Sequence, residues 1–168
     1  MLNTDFKIIV DNLKLLPHPE GGFYREVYRS SESLLHESLP ERYTGSRNFV
    51  TSIYFLLEGE NFSAFHKIKS EELWFFHSGN PVNIFLIQND ELQTIKLGLD
   101  IANGQYLQAA IPSQTWFAAE VVGQTGFSLV SCVVAPGFDF ADFELASKEK
   151  LNKEFPHLSN IINKFTRA

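Results

Sequence analysis

Two residues whose side chains carry out acid–base chemistry, His66 and Glu72, lie six positions apart in a β-rich part of the chain. Side chains alternate between the two faces of a strand, so a strand over 63–68 that faces inward at Ala64 also presents His66 inward. A turn at 69–71 lets the next strand present Glu72 to the same side. An imidazole and a carboxylate that meet in this way form an acid–base pair or a structural hydrogen bond. As catalytic residues, His66 would be the base and Glu72 would orient or charge it.

The same alternation places aromatic side chains beside this pair. Starting from Glu72, every second residue of the strand faces inward, while His77 faces the opposite side. Aromatic walls with a few polar groups are typical of small-molecule pockets. We therefore expect one ligand-binding cavity in which the acid–base pair is joined by Trp74, Phe76, Gln108, Trp116 and Phe117.

Positive groups near such a cavity would select the charge of its ligand. Arg25 follows a glycine-rich turn, and Arg47 precedes an apolar strand. Guanidinium pairs with carboxylate or phosphate through two parallel hydrogen bonds. With Arg29, these side chains favour an anionic small molecule, such as an organic acid or a nucleotide-sugar, although arginines at strand ends are also common surface ion-pair partners.

The segment His-Pro-Glu-Gly-Gly at 18–22 forms a second feature of unusual composition. Two prolines hold the chain extended, and the adjacent glycines permit a tight backbone path. Such a turn can present a side chain to a cavity or simply close the end of a barrel. For His18 we favour the structural interpretation, and for Glu20 both remain open.

Composition limits the class of protein. The chain has 168 residues, enough for one domain over 1–168, and its 44% hydrophobic content with 16 Phe excludes disorder. The net charge of -6 comes with dispersed Lys and Arg, which argues against nucleic acid as a partner. No apolar run approaches the roughly 20 residues needed to cross a membrane. A single cysteine, Cys132, and the absence of a signal-peptide pattern in 1–10 predict a cytoplasmic protein.

Period-two patterns and turn residues dominate the chain between 22 and 134. The predicted strands are 23–28, 49–57, 63–68, 72–77, 82–87, 92–97, 106–111, 116–122 and 127–134. About nine short strands with few intervening helices predict an all-β jelly-roll barrel. Short helices are expected at both ends: one capped by Thr4 or Asp5, and one after Ser147 with an apolar stripe through Phe165. The polar stretch 30–46 is expected to be a long, mobile loop.

Several segments give the chain a resemblance to the cupin superfamily, and within it to the small family sometimes called cupin-5, a domain of unknown function. They are LPHPEGGFYREVYRS (16–30), TSIYFLLEGENFSAFHKIKSEELWFFHSG (51–79), IPSQTW (111–116) and VAPGFDFADFELA (134–146). The resemblance implies a cupin double-stranded β-helix, a cavity inside the barrel and a homodimer. The resemblance does not indicate which reaction, if any, the protein catalyses.

The resemblance also bears on metal binding. The usual metal motif of cupins has two histidines two positions apart, then a glutamate facing back into the barrel, then a glycine. Here His66, Glu72 and Gly79 match that motif, but Ile68 stands in place of the second histidine.

The second metal motif departs from the superfamily as well. Its histidine should follow Pro112 by five residues, and Phe117 stands there. Metal sites normally need three or four protein ligands, so we expect neither a bound metal nor another cofactor. A metal-dependent alternative would complete its ligand set with His18, Glu20, water or substrate.

Three functional hypotheses follow from these residues. The first is a metal-independent epimerase or isomerase that moves a proton on a sugar-like or anionic metabolite, as the cupin sugar epimerases do. The second is a non-catalytic module that binds or senses a small molecule. The third is a metal-dependent cupin with an incomplete ligand set. Under all three, the partner is a small-molecule ligand, with no nucleic acid and no membrane.

Overall fold

Short strands form most of the protein in the computed structural model, which describes residues 6–167. The strands are β1 (Leu16–Pro17), β2 (Phe23–Arg29), β3 (Ser33–Leu34), β4 (Arg47–Asn48), β5 (Thr51–Glu58), β6 (Phe62–Lys67), β7 (Glu71–Gly79), β8 (Val82–Gln88), β9 (Glu91–Leu97), β10 (Gln108–Ile111), β11 (Trp116–Val121), β12 (Phe127–Ala135) and β13 (Glu144–Leu145). The helices are α1 (Phe6–Leu13), α2 (Lys148–Glu154) and α3 (Ser159–Lys164), with short 3₁₀ turns between other elements. No helix in this range is long and apolar enough to span a bilayer.

Two antiparallel sheets face each other and form the barrel. One has six strands in the order β1-β2-β5-β12-β7-β10, and the other has five in the order β13-β6-β11-β8-β9. β3 and β4 form a separate two-stranded sheet, and the consecutive strands β6 and β7 lie in different sheets of the barrel. Side chains from β6 and β7 therefore enter the barrel from opposite walls, as expected for the predicted jelly roll.

The inner core lies between the sheets, and the alternation of side chains is clear along β7. On β7, Glu72, Trp74 and Phe76 are buried while Leu73 and His77 are exposed, as the sequence predicts. The buried apolar side chains that meet between the sheets include Phe55, Leu57, Trp74, Phe76, Ile84, Leu86, Phe117, Val130 and Cys132. This core fills one end of the barrel and leaves the other end open.

A second core lies outside the barrel, where the C-terminal helices cover the five-stranded sheet. Ser147 caps α2 by accepting a hydrogen bond from the backbone N–H of Lys150. The residues packed in this outer core include Phe65, Phe85, Trp116, Leu151, Phe155, Ile162 and Phe165. The predicted apolar stripe of the tail thus packs on the barrel as expected.

The segment 30–46 differs from the expected mobile loop because it is anchored to the barrel. It contains β3 and a 3₁₀ turn at His36–Ser38. Its Tyr43 ring is only 1% exposed, and its hydroxyl lies 3.0 Å from Ser70 Oγ. At the end of the segment, Arg47 forms a buried ion pair with Asp142 at 2.6 Å. Most of the segment is loop, as predicted, but the sequence could not predict these contacts, because they join distant segments and have no local period.

The N-terminal helix also matches its prediction where the structure describes it. The proposed caps Thr4 and Asp5 lie outside the described residues. The helix ends at Leu13, Lys14 takes a positive φ of 52°, and β1 follows at Leu16.

Candidate functional site

A cavity of about 340 Å³ opens at the end of the barrel that the inner core leaves unfilled. Its inner wall holds the titratable side chains His18, Glu20, His66, Glu72 and Cys132. Its apolar lining comes mainly from Tyr24, Ile53, Phe55, Ile68, Trp74, Val134, Phe138, Phe140 and Phe143. The composition is that of a small-molecule site, an apolar surface with a few convergent polar groups.

Glu20, rather than Glu72, is the carboxyl partner of His66. The Glu20 Oε2 atom lies 3.0 Å from His66 Nε2, and both side chains are more than nine-tenths buried. The Glu20 Oε1 atom accepts a hydrogen bond of 2.8 Å from the hydroxyl of Ser63. The sequence prediction that Glu72 orients His66 is therefore corrected: the carboxylate comes from the turn at 18–22.

The backbone of one residue, Ala64, holds both members of this pair. Its N–H donates to the carbonyl oxygen of Glu20 at 2.9 Å, and its own carbonyl oxygen lies 2.8 Å from His66 Nδ1. A carbonyl oxygen can only accept, so Nδ1 carries the proton and Nε2 presents its lone pair to Glu20. In the uncharged state of the pair, Glu20 Oε2 donates its proton to His66 Nε2.

Burial favours that uncharged state. It raises the pKa of Glu20 well above its usual range, and the nearby Glu72 carboxylate raises it further, against the Ser63 hydrogen bond and the charge of Arg167. Burial also lowers the pKa of His66 to about 3. A neutral carboxylic acid therefore faces a neutral imidazole, and a proton can pass between them without changing the net charge of the site.

The glycines of the 18–22 turn bring Glu20 to this position. Gly21 and Gly22 both have positive φ values, 117° and 73°. A side chain at Gly21 would collide with the Arg167 guanidinium and the carbonyl oxygen of Phe62. Arg167 also donates from Nε to the Glu20 carbonyl oxygen at 3.1 Å and from Nη2 to that of Phe62 at 2.8 Å. The turn is thus held in place by β6 and by Arg167, which is distant in sequence.

Glu72 enters from the opposite sheet and has its own partners. The indole N–H of Trp74 donates to Glu72 Oε1 at 3.0 Å. Burial raises the pKa of Glu72 to about 7, while hydrogen bonds from Cys132 and Trp74 oppose this rise. Burial and the nearby carboxylates raise the pKa of the Cys132 thiol well above its usual value, so this cysteine is an unreactive neighbour.

His18 also faces the cavity, in contrast to the turn-closing role favoured from the sequence. Its ring packs edge-on against Tyr24 at 4.6 Å between centroids and against Phe55 at 6.0 Å. The rings of Phe140 and Phe143 also pack around the His18 ring. Its Nδ1 atom lies 3.4 Å from Glu20 Oε2, so His18, Glu20 and His66 form one contiguous group.

The arginines are not placed as the anionic-ligand hypothesis expects. Arg25 is exposed and donates to the carbonyl oxygen of Leu13, while Arg47 is buried in its ion pair with Asp142; neither lines the cavity. Arg29 does line it, but both ends of its guanidinium are held, by Glu26 at 2.7–2.9 Å and by the carbonyl oxygen of Phe138 at 3.1 Å.

Strand parity explains where the remaining predicted residues lie. His66, Glu72 and Trp74 all line the cavity. Trp116 and Phe117 are consecutive, so they cannot face the same side: Phe117 faces inward and its ring lies 4.1 Å from that of His66, while Trp116 packs in the outer core.

Two other predicted ligand-binding residues lie away from the cavity. Phe76 faces inward but two residues beyond Trp74, where it belongs to the inner core. Gln108 is exposed because Ala109 and Ile111 take the inward positions of β10. The lining side chains that sequence reasoning did not assign to a site include those of the 18–22 turn and of Phe138, Asp139, Phe140 and Phe143. The only sequence signal for them was the unusual composition of those two segments.

The cavity does not match the needs of a metal centre. Within residues 6–167 no group of three or more His, Cys, Asp or Glu side chains is arranged to hold a metal ion. Both nitrogens of His66 are engaged, one by Ala64 and one by Glu20. Ile68, at the position of the second histidine of the metal motif, presents an apolar side chain to the cavity. The expectation that the protein binds no metal stays a prediction.

Two facing antiparallel sheets that enclose a cavity at one end define the class as a cupin-fold protein. Solved structures agree: oxalate decarboxylase from Bacillus subtilis aligns with a TM-score of 0.54 at 14% identity, over 89% of this chain and 36% of that one. At this identity the likeness concerns the fold alone.

Sequence places the chain more narrowly. Residues 7–146 match the family described as Cupin superfamily (DUF985), and the chain belongs to this family. A protein from Shewanella oneidensis with a known crystal structure is 39% identical in sequence to this chain. The two structures align with a TM-score of 0.87 over 98% of both chains. A hypothetical protein from Leishmania major is 31% identical with a TM-score of 0.88, over 98% of this chain and 100% of that one. An uncharacterised protein of Saccharomyces cerevisiae is 28% identical over 159 residues, 89% of this chain and 78% of that protein.

The raised pKa of Glu72 predicts a pH-dependent stability. Its folded value of about 7 exceeds the ordinary 4.5, so the folded state holds this proton more tightly than the unfolded state. The resulting stabilisation is complete below about pH 4.5 and is lost as the pH rises through 7. Relative to wild type, Glu72→Gln should therefore become more stable between pH 4.5 and 8, by up to roughly 3 kcal/mol at about 1.4 kcal/mol per pKa unit.

Denaturant unfolding of both proteins at a series of pH values measures this difference. The comparison cancels the opposite contribution of His18 and His66, whose lowered pKa values remove stability as the pH falls below 6.5. The exposed neighbour Glu71→Gln is the matched control, with a flat difference expected. A flat difference for Glu72→Gln as well would contradict the assignment.

The contacts of Arg167 predict that this residue positions Glu20. Arg167→Met removes the hydrogen bonds to the Glu20 and Phe62 carbonyl oxygens and should cost about 1–2 kcal/mol of stability. It should also raise the pKa of Glu20, because the guanidinium charge lowers it in the native protein. Carboxyl ¹³C NMR titration measures that pKa. Arg167→Lys keeps the charge and serves as the control, and an unchanged Glu20 titration in the Met variant would count against this role.

Proposed function

We propose that this cupin binds a small uncharged molecule in the barrel cavity and moves a proton to and from it through Glu20, as an isomerase or epimerase does. The observation that supports the proposal is the contact of 3.0 Å between Glu20 Oε2 and His66 Nε2 at the wall of the cavity. A carboxylic acid and an imidazole that exchange one proton supply a general base in one state and a general acid in the other.

The geometry favours Glu20 as the group that touches the ligand. Both nitrogens of His66 are occupied, by Ala64 O and by Glu20, so the imidazole has no free atom for a ligand while these bonds hold. His66 is then the positioning residue: it takes the proton of Glu20, and the carboxylate so formed abstracts a proton from the ligand. These roles are the reverse of those expected from the sequence, in which His66 was the base.

The charges around the cavity favour an uncharged ligand over an anion. Glu20 and Glu72 both project into the cavity. The guanidinium of Arg29 already donates hydrogen bonds to Glu26 and to the carbonyl oxygen of Phe138. An anion would meet two carboxyl groups and no unpaired cation among the lining residues described. Aromatic walls supplied by Tyr24 and Trp74 suit a sugar-like or planar molecule.

Deuterium exchange tests the proton transfer directly. The protein is incubated in D₂O with a panel of uncharged hydroxyketones and aldoses, and incorporation beside the carbonyl group is followed by NMR. We expect incorporation with wild type and a loss of at least 100-fold with Glu20→Gln, since general acid–base groups typically contribute 10²–10⁴-fold. His66→Gln should lower the rate as well, because the carboxylate form of Glu20 depends on the imidazole that takes its proton.

Glu26→Gln is a matched control, because Glu26 lines the cavity but is tied to Arg29. Equal exchange in wild type and Glu20→Gln would refute proton transfer through Glu20.

A second candidate function, a non-catalytic binding or sensing module, is favoured by one specific observation. Every oxygen of the Glu20 carboxyl group already has a protein partner, Ser63 or His66, as in a hydrogen-bond network kept for structure. The exchange experiment separates the two functions: a sensor binds a member of the panel without incorporating deuterium.

We also propose that the protein is a homodimer, formed through the outer face of the six-stranded sheet. Leu73 on β7 pairs with Val133 on β12 on this face, beside Phe75, and the side chain of Leu73 is 41% exposed. Closed two-fold symmetry is the commonest assembly of soluble proteins. An apolar centre of this kind is typical of interfaces between identical chains.

Light scattering at micromolar concentration should therefore give twice the chain mass of 19.1 kDa. Leu73→Glu should shift the protein to the monomer, because two carboxylates would be buried at the symmetric contact. Leu99→Glu, at an exposed leucine in the loop between β9 and β10, is the control. A monomeric mass for wild type would exclude the dimer.

A further inference from the structure

We infer that His18 selects the ligand: its Nε2–H group is a fixed, uncharged hydrogen-bond donor for the carbonyl oxygen of a neutral, enolisable compound bound in the barrel cavity. The inference deepens the proposed function and rests on it for the chemistry, since Glu20 would act on the carbon next to that carbonyl.

The tautomer of His18 follows from its backbone contact. The N–H of Glu20 donates to His18 Nδ1 at 3.4 Å. A peptide N–H can only donate, so we assign Nδ1 as the acceptor in this contact, which places the proton of the neutral ring on Nε2. The Glu20 Oε2 atom, also 3.4 Å from Nδ1, would require a proton on Nδ1 instead, and the ¹⁵N experiment below distinguishes the two tautomers. The two prolines that flank His18 fix the backbone on both sides of the ring.

The Nε2 atom has no hydrogen-bond partner among residues 6–167, although the His18 side chain is only 8% exposed and lines the cavity. The atom is not among the fully buried side-chain atoms that lack a partner in the described residues, which are Asn83 Oδ1 and Asn152 Oδ1, so it is open to the cavity. The ring cannot turn away to find a partner, because Tyr24, Phe55 and Phe143 pack around it. A ligand oxygen in the cavity would satisfy this donor.

An uncharged imidazole suits a carbonyl oxygen in particular. Burial holds the pKa of His18 at about 4, so the ring stays neutral at physiological pH and keeps one donor in one direction. A neutral histidine beside a glutamate base is an established way to polarise a carbonyl group, with triosephosphate isomerase as the known example. Here the two groups are adjacent, with 3.4 Å between His18 Nδ1 and Glu20 Oε2.

The step balances without an oxidant or reductant. The Glu20 carboxylate takes a proton from the carbon next to the carbonyl group, and the C–H bond breaks. Its electron pair forms a carbon–carbon double bond, and the carbonyl π pair moves to the oxygen, where His18 Nε2–H stabilises the charge. Return of the proton to the other face of the same carbon gives the epimer. Where that carbon bears a hydroxyl group, the hydroxyl proton can pass to the former carbonyl oxygen, and return of the Glu20 proton to the former carbonyl carbon then gives the ketose–aldose isomer. In both cases Glu20 is again a carboxylate beside the imidazolium of His66.

Two matched probe pairs separate a carbonyl ligand from an anion. The pairs are 2-hydroxyacetophenone against mandelate, and dihydroxyacetone against glycerate; within each pair the carbon skeleton is the same and the charge differs. Binding is measured by calorimetry and by ligand-observed NMR at pH 7.5. We expect at least one ketone to bind, its carboxylate to bind at least 10-fold more weakly, and the ¹⁵N resonance of His18 Nε2 to shift on binding.

Two variants separate the contribution of the His18 N–H donor to binding from that of its aromatic ring. His18→Phe keeps the aromatic packing and removes the N–H, and should weaken ketone binding at least 10-fold. His18→Gln offers an amide N–H in its place and should recover part of the affinity. Before any ligand is added, ¹⁵N NMR of wild type should show a proton on Nε2 and none on Nδ1, unchanged between pH 8 and 5.5.

Several results would overturn the inference: a proton on Nδ1, carboxylates that bind as tightly as their ketones, equal affinity in wild type and folded His18→Phe, or no ketone binding at millimolar concentration. Failure of the proposed function looks different. If Glu20→Gln exchanges deuterium as fast as wild type while His18→Phe loses affinity, proton transfer through Glu20 is wrong and the role of His18 stands.

Discussion

The arrangement of the site depends on the backbone of Ala64, which binds the 18–22 turn through its N–H and the ring of His66 through its carbonyl oxygen. These two hydrogen bonds hold an acid and an imidazole at contact distance in a place where water cannot screen them. Once they are fixed there, the direction of every hydrogen bond in the group follows from donors that can only donate and acceptors that can only accept. The protonation states are then a consequence of burial rather than a separate property of each residue.

The barrel gives the two carboxyl groups different environments. Glu20 comes from a turn beside the five-stranded sheet and faces an imidazole, whereas Glu72 comes from the six-stranded sheet and faces an indole N–H and a thiol. Two acids in one cavity with different partners can hold different charges at one pH, which is how acid and base roles are divided in many enzymes. The fold thus provides the chemical asymmetry that a proton-transfer site needs.

Much of the fold could be predicted from the sequence because strand periodicity is a local property. The nine main strands, the inward faces of His66, Glu72 and Trp74, and the packing of the C-terminal tail all follow from spacing within short windows. The partner of His66 could not be predicted this way, because Glu20 lies 46 positions away, and the turn that brings it back has no period. The arginines were misjudged for a related reason: what matters is whether a guanidinium is already paired, and Asp142 is remote in sequence from Arg47.

The contact between Arg167 and Glu20 joins residues 147 positions apart. During synthesis, the ribosome makes the 18–22 turn early and Arg167 only after the whole barrel. Both sheets are also completed late, because β12 lies between β5 and β7 and β11 lies between β6 and β8. The turn that holds Glu20 is therefore bound by Ala64 once β6 is in place, and by the guanidinium of Arg167 only when that much later segment has been made.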